Sequence, residues 1–143
     1  MGKIETSSAF MTWTPEMSVG VGALDDDHKV LIGIINELHD GIVAGHKKEI
    51  LASVLDHLVE YTKFHFAKEE ELLEKCNFQA TQNHKMEHAS FVSRMTNLQE
   101  RLKTAPVAML DLELMSFLRN WLVTHIQGSD RKYGPRLNAC GYL

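Results

Sequence analysis

Four stretches of this chain carry apolar residues at alternating steps of three and four. In each, the stripe runs into a histidine or a carboxylate where the next apolar residue is due. The first, roughly 25–45, has Leu24, Leu31, Ile35, Leu38 and Ile42, with His28 completing the pattern. The second, roughly 47–75, has Leu51, Leu55, Leu58, Thr62 and Leu72, with His65 and Glu69 as its missing members. The third, roughly 82–103, has Phe91, Met95, Leu98 and Leu102, extended toward its start by His88 and His84. The fourth, roughly 107–127, has Leu110, Leu114, Phe117 and Trp121, and His125 follows. Such stripes are the seams of packed amphipathic helices.

The breaks between them are short: Gly45-His46-Lys47, Asn77 to Thr81, and Thr104-Ala105-Pro106. Asp25 suits the N-cap of the first helix and Pro106 the first turn of the fourth. Loops of this length make neighbouring helices antiparallel. The expected fold is all-α, an up-down-up-down antiparallel four-helix bundle over about 24–130. An N-terminal arm (1–23) precedes it and a short tail (131–143, with Gly134-Pro135) follows, making one domain of 1–143.

In such a bundle the starts of helices one and three lie beside the ends of two and four. His28, His65, Glu69, His84, His88 and His125, with Asp130 just beyond, therefore converge at one end of the bundle. Buried histidines and carboxylates are costly unless paired or metal-bound. A lone seam histidine is usually an ordinary satisfied core residue, but seven such groups at one level point to a metal site. Residues four apart on a helix point the same way, so His65/Glu69 and His84/His88 each act as pairs. Seven ligands exceed the four that one zinc takes, and two ions sharing carboxylate bridges fit better. The five-residue step from His125 to Asp130 cannot stay on one face of a regular helix, so the fourth helix is expected to loosen or end at Gly128. Imidazole with bridging carboxylate suits iron, manganese or zinc, which leaves the metal open. His39, His46 and His57 read as surface or flank residues.

Composition narrows the function. A net charge of −4 over 143 residues offers no basic surface for nucleic acid or anionic membrane. No apolar run approaches a membrane span, and the start of the chain has no signal-peptide pattern, so a cytoplasmic protein is expected. The two cysteines, Cys76 and Cys140, are expected as reduced thiols, with Cys140 able to pair between molecules on oxidation. Lys- and Glu-rich outer faces suggest a monomer.

The order His28, His65-x-x-x-Glu69, His84-x-x-x-His88, His125-x-x-x-x-Asp130 resembles the hemerythrin family, in its single-domain bacterial form. "HFAKEE" resembles the family's second-helix signature, "NWLVTHIQGSDRKYGP" its last-helix signature, and "MTWTPEMSVGVGALDDDH" its arm and first ligand. The likeness covers roughly 11–137. It implies a non-haem centre of two iron ions (Fe2+/Fe3+) that binds O2 reversibly. One iron would take His84, His88 and His125, and the other His28 and His65. Glu69, Asp130 and a solvent-derived oxo or hydroxo group would bridge them. The second iron would keep an open position for O2.

Leu31, Phe66, Trp121, Leu122 and Ile126 neighbour the ligands and are the expected O2 pocket, although each is equally readable as core. Dry surroundings slow oxidation of the irons. Two departures from the family pattern stand out. Asp27 occupies a position where Gln is frequent; a carboxylate there either alters the charge of the site or points to solvent, and solvent is the expectation. The loop after helix two reads Phe78-Gln79 where an aromatic followed by Pro is frequent. Glu70 and Glu71 are expected to form a solvated acidic patch. No acid, base or substrate-binding group is evident beside the ligands, so O2 transport, storage or delivery is expected rather than an enzyme, with an O2-consuming enzyme or a reductase as partner. The competing readings are an O2 or redox sensor acting through a separate partner, and a di-iron oxidase or iron-handling protein.

Overall fold

The computed structural model describes residues 9–143, and these form helices without strands. The first eight residues of the expected arm lie outside the described part. Four helices make the bundle: α1 (Gly22–Val43), α2 (Lys48–Lys75), α3 (Thr81–Leu102) and α4 (Leu112–Thr124). α1 packs on α2 and α4, and α2 packs on α3. No helix among the described residues is long and apolar enough to cross a membrane.

Both tight turns carry their own stop signal. After α1, Gly45 adopts φ +73°, with Gly45 N–H donating to the Ile42 carbonyl and His46 N–H to that of Gly41. After α2, Asn77 takes φ +54°, with Asn77 N–H on Glu74 O and Phe78 N–H on Leu73 O. This left-handed cap satisfies the last carbonyls of a helix and turns the chain back.

The expected helix limits need three corrections. Asp25 is not an N-cap. α1 begins at Gly22, and the Asp25 carboxylate accepts from Ser18 Oγ (2.6 Å) and Val19 N–H (2.8 Å), folding the arm onto the helix start. Pro106 does not open the fourth helix. Val107–Met109 form a separate 3-10 turn, and α4 starts at Leu112 under an Asp111 cap that accepts from Leu114 N–H at 2.9 Å. Residues 131–143 are not a loose tail. Arg131–Ala139 form α5, which continues from α4 through a π-helical turn, His125–Asp130.

The first three seams are buried as read, with Ile42 half-buried and Leu73 rather than Leu72 lying fully inside α2. In the fourth, Leu110 is buried as read, but within α4 the stripe is displaced by one residue: Leu114, Phe117 and Trp121 are half-buried, and Met115, Leu118 and Leu122 form the seam. α4 is apolar on a wide face, so two adjacent stripes compete, and the buried one, Met115, Leu118 and Leu122, is in phase with the inward-facing His125. Each fully buried side chain of this size contributes on the order of 1.5–3 kcal/mol.

α5 clasps the arm. A Cβ on Gly134 would lie 2.3 Å from the Val19 carbonyl oxygen, so only glycine lets the two backbones approach this closely. Asn138 Nδ2 donates to Gly20 O (2.9 Å), and Met11 exchanges two 2.8 Å hydrogen bonds with the Asn36 side chain on α1. Cys76 and Cys140 are joined in an intrachain disulfide that ties the end of α2 to the end of α5. This replaces the expectation of two reduced thiols and of pairing between molecules through Cys140. The bundle's antiparallel ends bring the two cysteines to a Cα separation of 5.8 Å.

Candidate metal centre

Four segments deliver the seven expected groups to one end of the bundle: α1 (His28), α2 (His65, Glu69), α3 (His84, His88) and the π-helical turn (His125, Asp130). All seven are buried, none more than 4% exposed. The π-helical turn solves the five-residue step. On a regular α-helix residues five apart diverge by about 140° around the axis. Hydrogen bonding from i to i+5 returns the fifth residue to the same face. The helix therefore loosens across Gly128 without ending, and Asp130 faces inward beside His125.

The donor atoms fall into two groups that share Glu69. One comprises Glu69, His84, His88, His125 and Asp130, and the other His28, His65 and Glu69; within each group the atoms lie within 4.8 Å of one another. The carboxylates divide their oxygens between the groups. Glu69 Oε1 is 2.8 Å from His84 Nε2 and 3.0 Å from His88 Nε2, while Oε2 is 3.2 Å from His65 Nε2 and 3.7 Å from His28 Nε2. Asp130 Oδ1 is 2.8 Å from His84 Nε2 and 3.1 Å from His125 Nε2, while Oδ2 is 3.2 Å from His28 Nε2.

The donor set fits metal ions. An ion with bonds of about 2.1 Å holds adjacent donor atoms about 3 Å apart, the spacing seen here. His88 Nε2 and His125 Nε2 face each other at 3.0 Å, two lone-pair nitrogens turned to one point. Among the described residues, three of the four buried side-chain polar atoms without a hydrogen bond are His28 Nδ1, His65 Nε2 and Asp130 Oδ1; the fourth is Trp13 Nε1. The His65 and Asp130 atoms have opposite-charge neighbours within 3.2 Å but lack hydrogen-bond alignment, as expected of atoms directed at an ion between them.

Without metal, protons hold the cluster together. Burial disfavours a charged His28, but Asp130 and Glu69 outweigh it and push its pKa up to about 9. Burial likewise opposes the charged form of His84, and the same two carboxylates push it up to about 10. Burial alone would raise the carboxylates. The four histidines around Glu69 hold it well below its usual range, and His125 and His28 lower Asp130 against both burial and the Glu69 charge.

A second layer of polar groups, missed in the sequence, encloses the first. His65 Nδ1 donates to Asp27 Oδ2 (3.0 Å), His88 Nδ1 to Glu70 Oε2 (2.8 Å) and His125 Nδ1 to Glu87 Oε1 (2.8 Å). Each bond keeps the proton on Nδ1 and turns the Nε2 lone pair inward. Tyr133 Oη, fully buried, donates to Glu69 Oε2 (2.7 Å); burial and the charges of Glu69 and Asp130 raise its pKa well above normal, so it remains a donor. Two expectations are thereby corrected. Asp27 does not face solvent, because the α1–α2 contact encloses it, and Glu70 is not part of a solvated patch, because His88 draws it in. Glu71 is exposed, as expected. Only Tyr133 left a sequence signal: the inward stripe of the fourth helix continues from His125 through Asp130, Tyr133 and Leu137. His46 and His57 are exposed, and His39 is half-buried and stacks on Phe10.

Beside the centre lies a cavity of about 10 Å³, about the size of one water molecule. Leu31, Phe66, Trp121 and Leu122 line it, with Ile35, Leu58, Thr62 and Phe91. Ile126 is fully buried but does not line it. The Phe66 ring stacks on His88 (3.6 Å between centroids) and Trp121 on His125 (4.5 Å), so aromatic faces seal the imidazoles on this side.

Comparison with known proteins agrees with this geometry. Residues 19–137 match the family model of the hemerythrin HHE cation binding domain. A bacteriohemerythrin of Methylococcus capsulatus is 38% identical over 132 residues, covering 92% of this chain and 99% of that one. A hemerythrin-like protein of Naegleria gruberi is 34% identical, covering 85% and 88% of the two chains. The crystal structure of a wild-type hemerythrin superposes with a TM-score of 0.84 at 36% identity, covering 90% of this chain and 98% of that one. A leucine-to-tyrosine mutant of hemerythrin superposes with a TM-score of 0.85 at 34% identity. With the seven donor groups gathered at one end of a matching bundle, the chain belongs to the hemerythrin family.

Proposed function

We infer that this centre holds two iron ions bridged by Glu69 and Asp130 and binds O2 reversibly, serving its transport, storage or delivery. The observation that carries the reading is the division of both carboxylates between two donor groups of unequal size. The first group offers three imidazoles and two carboxylate oxygens. The second offers two imidazoles and two carboxylate oxygens, one donor fewer. When bound, a di-iron pair supplies the electrons for O2 binding and a coordination position for it. The chain's own residues keep that position dry and selective. Leu31, Phe66, Trp121 and Leu122 border an apolar cavity about the size of one water molecule, too small for an organic substrate. That size favours a binding protein over an enzyme acting on an organic substrate. Tyr133 fixes one Glu69 oxygen, and the Nδ1 hydrogen bonds fix three imidazoles.

A monomer in the cytoplasm, passing O2 to a consuming enzyme and receiving electrons from a reductase, completes the reading. The disulfide also favours a second reading, a redox sensor acting through a separate partner. The deciding experiment is the visible spectrum of anaerobically reduced, iron-quantified protein before air, after air and after argon. Two irons per chain and a charge-transfer band that appears with O2 and leaves with argon support reversible binding. Direct conversion to an oxidised form that argon does not reverse overturns it in favour of sensing, iron handling or catalysis.

A further inference from the structure

Three carboxylates back the imidazoles of this centre, and they differ in enclosure. The Asp27 side chain is 11% exposed, against 26% for Glu70 and 45% for Glu87. Asp27 also stands alone on its side. It serves the His28/His65 group, where His28 Nδ1 has no partner, while Glu70 and Glu87 both serve the larger group. Its contacts form a short chain across α1 and α2. Oδ2 accepts from His65 Nδ1 (3.0 Å) and lies 3.0 Å from Lys68 Nζ; Oδ1 accepts from Tyr61 Oη (3.1 Å).

A carboxylate on Nδ1 increases electron donation from Nε2 to a bound ion and favours the higher charge of that ion. Burial leaves this charge poorly screened. Lys68, 35% exposed, shares the same oxygen and opposes it. We propose that Asp27 is a positioning residue that sets how strongly His65 donates to the ion it faces, with Lys68 as the counter-charge that limits the effect. The proposal rests on the two-metal reading above. It distinguishes the smaller donor group, the one with room for a ligand, as the group whose affinity and redox balance respond to a single buried charge.

Two variants separate this role from a purely structural one. Asp27→Asn keeps the shape and an acceptor oxygen but removes the charge. Lys68→Met removes the counter-charge at a part-exposed position and leaves the fold intact. The first assay titrates metal-free protein with Co2+, which needs no O2 and no iron. Wild type is expected to take two ions per chain. Asp27→Asn is expected to weaken one of them by about 10–100-fold, the usual effect of losing such a partner, and to leave the other unchanged. Lys68→Met is expected not to weaken either. The second assay is the midpoint potential of the iron-loaded proteins. A tenfold loss of preference for Fe3+ over Fe2+ in Asp27→Asn reads as a rise of about 59 mV, and Lys68→Met is expected to move the potential the opposite way. If wild type takes two Co2+ ions and Asp27→Asn keeps both affinities, the Asp27 proposal fails while the two-metal reading stands. Potentials that move in the same direction in both variants also overturn it, since lost structure would do that. Failure of wild type to take two ions overturns both readings together.

Discussion

Breaking the Cys76–Cys140 bond should destabilise the metal-free protein by up to about 4 kcal/mol without disturbing the metal centre. The bond closes a loop of 64 residues. Closing a loop of that size removes about 14 cal/mol/K of entropy from the unfolded chain, which is about 4 kcal/mol at 25 °C. Against a typical domain stability of about 5–15 kcal/mol, that is a large fraction. For a chain of this length it corresponds to a fall in melting temperature of roughly 13 °C.

The folded state should change little, because α5 has independent anchors. Tyr133 and Leu137 are fully buried, Asn138 holds the Gly20 carbonyl, and Arg136 Nε donates to the Cys76 carbonyl. The assay is denaturant unfolding of the Cys76→Ser/Cys140→Ser pair beside wild type, with and without a thiol reductant. Reduced wild type should match the double variant, and the m-value should rise because the unfolded chain is no longer cross-linked. Iron content and O2 response should be unchanged. A difference below about 1 kcal/mol would refute the loop argument, and a lost metal centre would show that the bond holds the site rather than the unfolded chain.

Three other outcomes are expected. His65→Ala removes one of two imidazoles from the smaller group; iron analysis should fall toward one ion per chain and the O2-dependent band should vanish, and a variant that still binds O2 normally would refute the assignment. Leu122→Tyr places a phenol in a cavity of about 10 Å³ and should change the O2 release rate measured by stopped-flow mixing; unchanged kinetics would place Leu122 outside the O2 path. With pKa values near 9 and 10, against about 6.5 when unfolded, His28 and His84 stabilise the metal-free fold fully below pH 6.5, and this is lost as pH rises through 9–10. Melting temperatures of metal-free protein should fall across that window, while metal affinity, which requires those protons to leave, should rise.

The bundle and its ligands were legible because helical spacing is local. Steps of three and four assign a face without knowledge of any partner, so His28, His65, Glu69, His84, His88 and His125 stood out as polar members of apolar stripes. What sequence reading missed is non-local. Asp27, Glu70 and Glu87 each sit one residue from a ligand, which turns them about 100° from the seam toward an adjacent helix. Whether that flank meets water or another histidine depends on packing. The tail was misread for a different reason. Gly134-Pro135 looks like a break, but Gly134 answers the close approach of Val19. Having no Cβ, it also relieves the clash that normally bars the residue before proline from helical geometry.

The π-helical turn explains why these features occur together. A regular helix could present either His125 or Asp130 to the centre, not both. Widening one turn admits both and shifts the phase of everything that follows, which brings Tyr133 beneath Glu69 and Leu137 into the core. α5 thus continues the site. Its inward face supplies the hydrogen bond that orients one bridging carboxylate, and its outer end is tied to α2 by the disulfide and to the arm through Gly134 and Asn138. A π-helical turn gives up regular α-helical hydrogen bonding and persists only where its surroundings enforce it. Here the enforcement comes from both sides, with the buried cluster holding Asp130 and the clasped α5 holding the far end. A chain ending soon after Asp130 would keep all seven ligands yet lose one of those two restraints.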